Sequence, residues 1–163
     1  MSFDLGISYN IHHPACSPPG RRFPMSYGSE SARDRKTTIA PMLSVRSGAK
    51  AIEFYKAAFG AAELFRIDSE GGQVVARLSV GEAEFWLADE SPEHFNFSPE
   101  SLGGGSVRMV MTVEDPDAAF ERAVAAGATV VWPVGNQYGW RLGRIVDPFG
   151  HHWEIGKELS DGS

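Results

Sequence analysis

The residues with the clearest capacity for chemistry lie near the C-terminus, where His152 and Glu154 flank Trp153. If this segment is a β-strand, its alternate side chains share a face, so the imidazole and the carboxylate lie together while the indole points the opposite way. A carboxylate is a metal ligand, and an imidazole beside it can serve as an acid or a base. A histidine held only by structural hydrogen bonds gives the same pattern, and the residues leave both interpretations open.

A turn leads into this strand. Asp147, Pro148 and Gly150 are residue types that favour turns, and we interpret them as turn-makers rather than catalytic groups. His151 is predicted to belong to the turn, and His152 to the face of the sheet.

The elements that must position these residues occur twice along the chain. Apolar residues at three- and four-residue spacing predict a helix over 49–59 that ends at Gly60. Gly60 and Gly127 are 67 positions apart, and so are Trp86 and Trp153. The equal offsets predict an α+β fold of two tandem βαβββ modules with a cavity for a ligand. The other predicted elements are strands at 37–45, 62–67, 73–80, 83–88, 107–113, 129–133, 141–146 and 152–156, and a helix at 117–126.

Composition divides the chain into segments. Residues 1–36 carry several prolines and little that could be buried, which predicts a disordered leader that is not a secretory signal. A single domain is expected over 37–158, followed by a tail at 159–163. The predicted parts of that domain are module one at 37–90, a polar linker at 91–105 and module two at 106–158.

The bulk composition excludes several classes of partner. The chain has 163 residues and a formal net charge of −6, whereas binding to a nucleic-acid backbone needs a concentrated basic surface. No apolar run is long enough to span a bilayer, so no membrane partner is expected. Cys16 is the single cysteine and cannot form an internal disulfide, which favours a cytoplasmic protein.

Two motifs carry a resemblance to a known family. They are AIEFYKAAFGA at 51–61 and YGWRLGRIVDPFGHHW at 138–153. Both resemble the vicinal oxygen chelate superfamily, which includes glyoxalase I, bleomycin-resistance proteins and extradiol dioxygenases, and the second motif is most similar to the PhnB-like branch. The resemblance covers about 39–157. It implies paired βαβββ modules that form a cavity of the glyoxalase/bleomycin-resistance/dioxygenase type.

The resemblance also implies four metal-ligand positions, one on the first and one on the fourth strand of each module. In this chain those positions fall on Ala40, Trp86, Arg108 and Glu154. Only Glu154 has a suitable donor atom, and one carboxylate cannot hold a divalent ion in a protein site of three or four ligands. No cofactor is therefore predicted. The alternative is a divalent metal with shifted ligands, since a shift of one residue would bring in Glu84 or His152.

The cavity that the family resemblance implies contains other candidate ligand contacts. If the strands meet as in the family, Arg108 lies opposite Glu154, and its guanidinium takes over the charge of the missing ion. Met42 and Trp86 are expected on the same face as walls of the pocket. A partly buried ion pair with only a structural role is the alternative.

Tyr138, Trp140 and Arg141 are predicted to lie in the loop before the seventh strand and to contact the ligand. In PhnB-like relatives an acidic residue is common where this chain has Trp140. The exchange removes a carboxylate and adds a stacking surface, which favours a planar ligand. An aromatic side chain that merely caps the loop is the alternative.

These observations predict a small-molecule binding protein with an incomplete metal site, taking a planar and partly apolar ligand. The alternative is an enzyme: a glyoxalase-like lyase or isomerase or a dioxygenase, with shifted metal ligands or with Glu154 and His152 as a metal-free acid–base pair. The resemblance further implies a homodimer, with the modules paired within one chain or between two.

Overall fold

The computed structural model describes residues 37–160, which form two four-stranded sheets with a helix packed on each. The α+β fold of two βαβββ units is confirmed. In the first half the elements are β1 (Met42–Val45), α1 (Gly48–Phe59), β2 (Ala62–Asp68), β3 (Val74–Val80) and β4 (Ala83–Asp89), and between the halves lies α2 (Pro99–Leu102). In the second half they are β5 (Arg108–Thr112), α3 (Pro116–Ala125), β6 (Thr129–Gln137), β7 (Trp140–Val146) and β8 (His152–Glu158). The predicted leader at 1–36 lies outside the described residues.

Helix α1 forms where the apolar spacing predicts it. Ala51, Ile52 and Tyr55 are fully buried along one face, and Phe59 completes that face. The helix ends at Gly60, whose φ of 67° lies in the left-handed region that glycine enters without a steric penalty. Its backbone N–H donates to the carbonyl oxygen of Lys56 at 3.0 Å, which satisfies one carbonyl of the last turn.

The two sheets have the same strand order, β1-β4-β3-β2 in the first and β5-β8-β7-β6 in the second. In both, the first strand pairs in parallel with the fourth, and the other neighbours are antiparallel. Alternate residues such as Leu43 and Leu87, or Trp153 and Ile155, are buried in the core with the helices. We call the face of each sheet that points away from this core its open face.

Several boundaries differ from the prediction, and two of them bear on the candidate site. Strand β1 begins at Met42 rather than at residue 37, because Pro41 cannot donate a backbone hydrogen bond to the sheet. Its carbonyl oxygen still accepts from Trp86 N at 2.8 Å. Trp140 and Arg141 belong to β7 and not to the preceding loop, because Gln137 and Trp140 already pair across the turn.

Glu90 binds the segment that connects the two sheets. Its carboxylate accepts hydrogen bonds from Ser101 Oγ at 2.6 Å and from Ser98 N at 2.9 Å, and Arg46 Nε lies 3.2 Å from its other oxygen. These hydrogen bonds, led by that from Ser101, lower the pKa of Glu90 from 4.5 to about 2. The carboxylate therefore fastens α2 to the end of β1.

Asp147 joins the two halves of the fold inside the core. Its Oδ1 accepts from the backbone N–H groups of Phe149 and His151, both at 2.9 Å, which is the predicted turn. Its Oδ2 accepts from Tyr55 Oη at 2.7 Å and from Trp153 Nε1 at 2.9 Å. Burial, together with the charge of Asp147, raises the pKa of Tyr55 well above its ordinary value. The turn, α1 and β8 therefore share one buried carboxylate.

Among the described residues, no helix is both long and apolar enough to cross a membrane.

We expect Tyr55→Phe to lower the free energy of unfolding by about 2 kcal/mol, because it removes a buried hydrogen bond to a carboxylate. Urea unfolding followed by circular dichroism measures this change. Tyr138→Phe is the matched control, since the Tyr138 side chain is 95% exposed and its loss of a hydroxyl should change stability by less than about 0.5 kcal/mol. Equal effects of the two variants would contradict the role of Asp147.

We expect Glu90→Gln to flatten the acid dependence of stability. Because the pKa of Glu90 is lower in the folded chain, its contribution is complete above about pH 4.5 and is lost as the pH falls towards about 2. The variant should lose less unfolding free energy than the wild type over that range. The control is Glu82→Gln at an exposed turn, which should retain the wild-type slope.

Candidate functional site

The predicted ion pair lies on the open face of the second sheet. Arg108 Nη1 is 2.8 Å from Glu154 Oε1. The pairing is diagonal rather than directly across, because the partner of Glu154 in the sheet is Val110 and that of Arg108 is His152. The long arginine side chain spans the difference of two residues.

Arg144 lies beside this pair and was not predicted as a site residue. Its Nε and Nη2 lie 3.1 and 2.9 Å from Nδ1 of His152, and its guanidinium carbon is 5.0 Å from the centre of the Trp132 ring. Because arginine can only donate, Nδ1 must accept and the proton of the neutral imidazole is on Nε2. Burial first, and then the charge of Arg144, lower the pKa of His152. His152 is therefore held as a neutral ring on the open face.

Glu154 also borders a small pocket of about 210 Å³. Its lining consists of Val110, Trp140, Leu142, Glu154 and Gly156. Alternation along β7 points Trp140 and Leu142 to the same side as Arg144. The pocket thus brings two of the predicted residues, Trp140 and Glu154, next to apolar side chains.

Arg141 does not reach this face. Its guanidinium holds the carboxylate of Asp117 through two nitrogens, with Nε at 2.6 Å, and donates to Asn136 Oδ1 at 3.1 Å. Because Arg141 lies in β7 next to Trp140, its side chain points to the opposite side, where it anchors the start of α3. Tyr138 occupies the turn with a φ of 51° and extends into solvent.

The open face of the first sheet has a related arrangement. Met42 and Trp86 share it as predicted, and they lie in one row with Arg77 and Phe65. The Arg77 guanidinium is 5.5 Å from the centre of the Trp86 ring, and the Phe65 ring is 5.8 Å from it. Glu84 lies 3.5 Å from Arg77 Nη1. Arg77 and Phe65 were not predicted from the sequence.

The repeat contained a signal for both missed arginines. Arg77 and Arg144 are 67 positions apart, the same offset that relates Gly60 to Gly127. Their strands, β3 and β7, occupy the same place in the two sheets.

Within residues 37–160 the two open faces do not enclose one cavity. The pocket next to Glu154 is not lined by Met42 or Trp86, so it lacks both predicted walls. Met42 instead borders a cleft of about 400 Å³ beside His151. The halves pack through their core sides, where the rings of Tyr55 and Trp153 are 5.6 Å apart. This packing leaves the open faces exposed to solvent.

The residues do not fit the metal centre that the resemblance implies. Within residues 37–160 no group of three or more His, Cys, Asp or Glu side chains could hold an ion. In the sheets, Met42 pairs with Trp86 and Val110 with Glu154, so the paired positions offer a single carboxylate. That carboxylate already holds a guanidinium, which repels a cation.

Comparison with protein families and known sequences gives close matches. The family model for the Glyoxalase/Bleomycin resistance protein/Dioxygenase superfamily matches residues 38–155. The uncharacterized protein Rv0887c of Mycobacterium tuberculosis is 39% identical over 139 residues, covering 82% of each chain. The uncharacterized protein At5g48480 of Arabidopsis thaliana is 33% identical over 113 residues, covering 63% of this chain and 67% of its own.

Solved structures share the fold of this chain. TioX from Micromonospora sp. ML1 has 26% identity and a TM-score of 0.59, covering 76% of this chain and 100% of its own. The fosfomycin resistance protein FosX from Listeria monocytogenes has a TM-score of 0.60 but 14% identity, covering 76% of this chain and 94% of its own. Likeness at that identity shows a shared fold alone.

We expect Arg144→Gln to raise the pKa of His152, because the variant removes both a neighbouring cation and two donors to Nδ1. Nuclear magnetic resonance of the imidazole C–H protons as a function of pH measures the pKa of His152. Arg66→Gln is the control, since Arg66 is bound to Asp68 on the first sheet and should leave His152 unchanged. An unchanged His152 pKa in Arg144→Gln would refute the contact.

Proposed function

The chain belongs to the Glyoxalase/Bleomycin resistance protein/Dioxygenase superfamily, and on that premise we propose that it is a small-molecule binding protein without a metal centre. Its ligand is planar and partly apolar, and binds on the open face of the second sheet. The observation that carries this proposal is the Arg108–Glu154 pair, because a guanidinium stands 2.8 Å from the carboxylate at the retained metal-ligand position.

The chemistry of the face supports a planar ligand. Trp140 offers an indole surface beside the apolar side chains of Val110 and Leu142. Aromatic surfaces favour stacked or edge-on contacts with flat molecules. Arg108 and Glu154 add one donor group and one acceptor group at the edge of this patch. The combination suits a flat compound with a few polar substituents.

The position of the proton on His152 favours a role in binding over metal-free acid–base catalysis. A general base needs a free lone pair within reach of the substrate proton. The Nδ1 lone pair of His152 is directed at Arg144, and Nε2 carries the proton. The imidazole can therefore donate a hydrogen bond to a ligand but is poorly suited to remove a proton.

The exposure of the open faces supports a homodimer. Met42 and Ile67 on the first sheet are 55% and 54% exposed, and Val110 on the second is 67% exposed. Apolar side chains clustered on a sheet face gain free energy when a partner covers them. In the proposed dimer the first sheet of one copy covers the second sheet of the other. Met42 and Trp86 then supply the pocket walls that residues 37–160 of one copy lack.

We expect thermal-shift screening against aromatic compounds and antibiotics to find ligands that stabilise the protein. Arg108→Ala should weaken the binding of the best ligand by about tenfold, or about 1.4 kcal/mol, because the variant removes the donor at the edge of the patch. Arg122→Ala on the exposed side of α3 is the matched control and should bind as the wild type does.

Native mass spectrometry of freshly purified protein should report a dimer and any retained ligand. Full affinity in Arg108→Ala would contradict the proposed site. One tightly bound Zn, Ni, Mn or Fe per chain in elemental analysis would contradict a binder without a metal and favour the enzyme.

A further inference from the structure

Arg144 lies on the open face of the second sheet without a carboxylate bound to it. Arg108 and Glu154 neutralise each other at 2.8 Å. His152 is neutral, since its pKa is lowered by burial and by Arg144. Glu158 shares this face but lies at its other end, opposite Trp140. Arg144 therefore remains as a locally uncompensated positive charge, although the chain as a whole has a formal net charge of −6.

Arg144 has unused hydrogen-bonding capacity. Its Nε and Nη2 are directed at His152, whereas Nη1 makes no hydrogen bond within residues 37–160. No carboxylate in that part of the chain lies within 4.0 Å of its guanidinium nitrogens. Stacking on Trp132 and the contacts with His152 hold the guanidinium plane in place. The group is thus oriented in advance while three N–H donors, two on Nη1 and one on Nη2, lack an acceptor.

The first sheet provides an internal comparison. Arg77 occupies the equivalent strand and also stacks on a tryptophan, Trp86, at 5.5 Å. However, Glu84 lies 3.5 Å from Arg77 and compensates its charge. The same stacked arginine is therefore neutralised in one sheet and left with its charge in the other. A fixed but uncompensated guanidinium is suited to a planar carboxylate, which it can bind through two parallel hydrogen bonds.

We propose that Arg144 selects the charge of the ligand, and that the ligand is an aromatic monoanion whose acidic group contacts the Arg144 guanidinium. This inference rests on the proposed binding function and narrows its ligand class. Glu154, the partner of Arg144 in the neighbouring strand, borders the pocket of Trp140 and Leu142. The ring of the ligand lies on the apolar side chains of this pocket, and its single negative charge is directed at Arg144 and away from Glu158, which is opposite Trp140.

A charged probe and a neutral probe of the same shape test the inference. Isothermal titration at constant ionic strength compares 2-naphthoate with 2-naphthamide, which differ in charge but share the ring. Wild type should bind 2-naphthoate at least about tenfold more tightly, equivalent to about 1.4 kcal/mol. In Arg144→Gln this preference should disappear while the affinity for 2-naphthamide is retained. Arg122→Gln, on the exposed side of α3, is the matched control and should keep the preference.

The outcomes separate the two proposals. Equal binding of both probes by wild type, or a preference that survives in Arg144→Gln, overturns the role of Arg144 and leaves the binding function standing. Failure of wild type to bind either probe counts against both. If circular dichroism shows that Arg144→Gln is unfolded, Arg144→Lys takes its place, and it should reduce the preference by losing the planar pair of donors.

Discussion

The fold depends on one buried carboxylate. Asp147 is 3% exposed and accepts four hydrogen bonds, two from its own turn and two from the side chains of Tyr55 and Trp153. A buried charge without such partners would cost several kcal/mol, so these donors must meet at one point. Because Tyr55 belongs to α1 and Trp153 to β8, their meeting fixes how the two halves pack. The halves join through their core sides, and both open faces are left for other contacts.

That packing determines what kind of site a single chain can offer. The second sheet presents an exposed platform of charged and aromatic side chains rather than an enclosed cavity, because no element of the first half covers Val110 or Glu154 within residues 37–160. An exposed ion pair such as Arg108–Glu154 adds little to stability. The pair therefore contributes little as a structural element, which agrees with the ligand contact that we propose for it. A covering surface would strengthen every charge interaction on the platform by excluding water.

Alternation and repetition predicted much of this arrangement. The alternation of side chains along a strand correctly placed Trp153 on the opposite face from His152 and Glu154. The offset of 67 positions identified the repeat. Alternation cannot set the register between strands, so the diagonal pairing of Arg108 was not predictable. Arg141 points to the side of α3 because it alternates with Trp140 in β7, which begins one residue earlier than predicted. Arg144 was missed since its importance lies in contacts with Trp132 and His152, which come from different strands.

Arginines beside the one carboxylate at a metal-ligand position support different chemistry from that of a metal ion. A divalent ion acts as a Lewis acid, polarising a carbonyl or stabilising an enediolate through open coordination positions. A guanidinium carries one delocalised charge and binds only through directional N–H groups. It can orient a planar anion, but it cannot coordinate two neighbouring oxygens as an electrophile. With Arg108 on Glu154 and Arg144 beside Trp132, the charged groups of the second sheet suit the recognition of a planar anion that we propose.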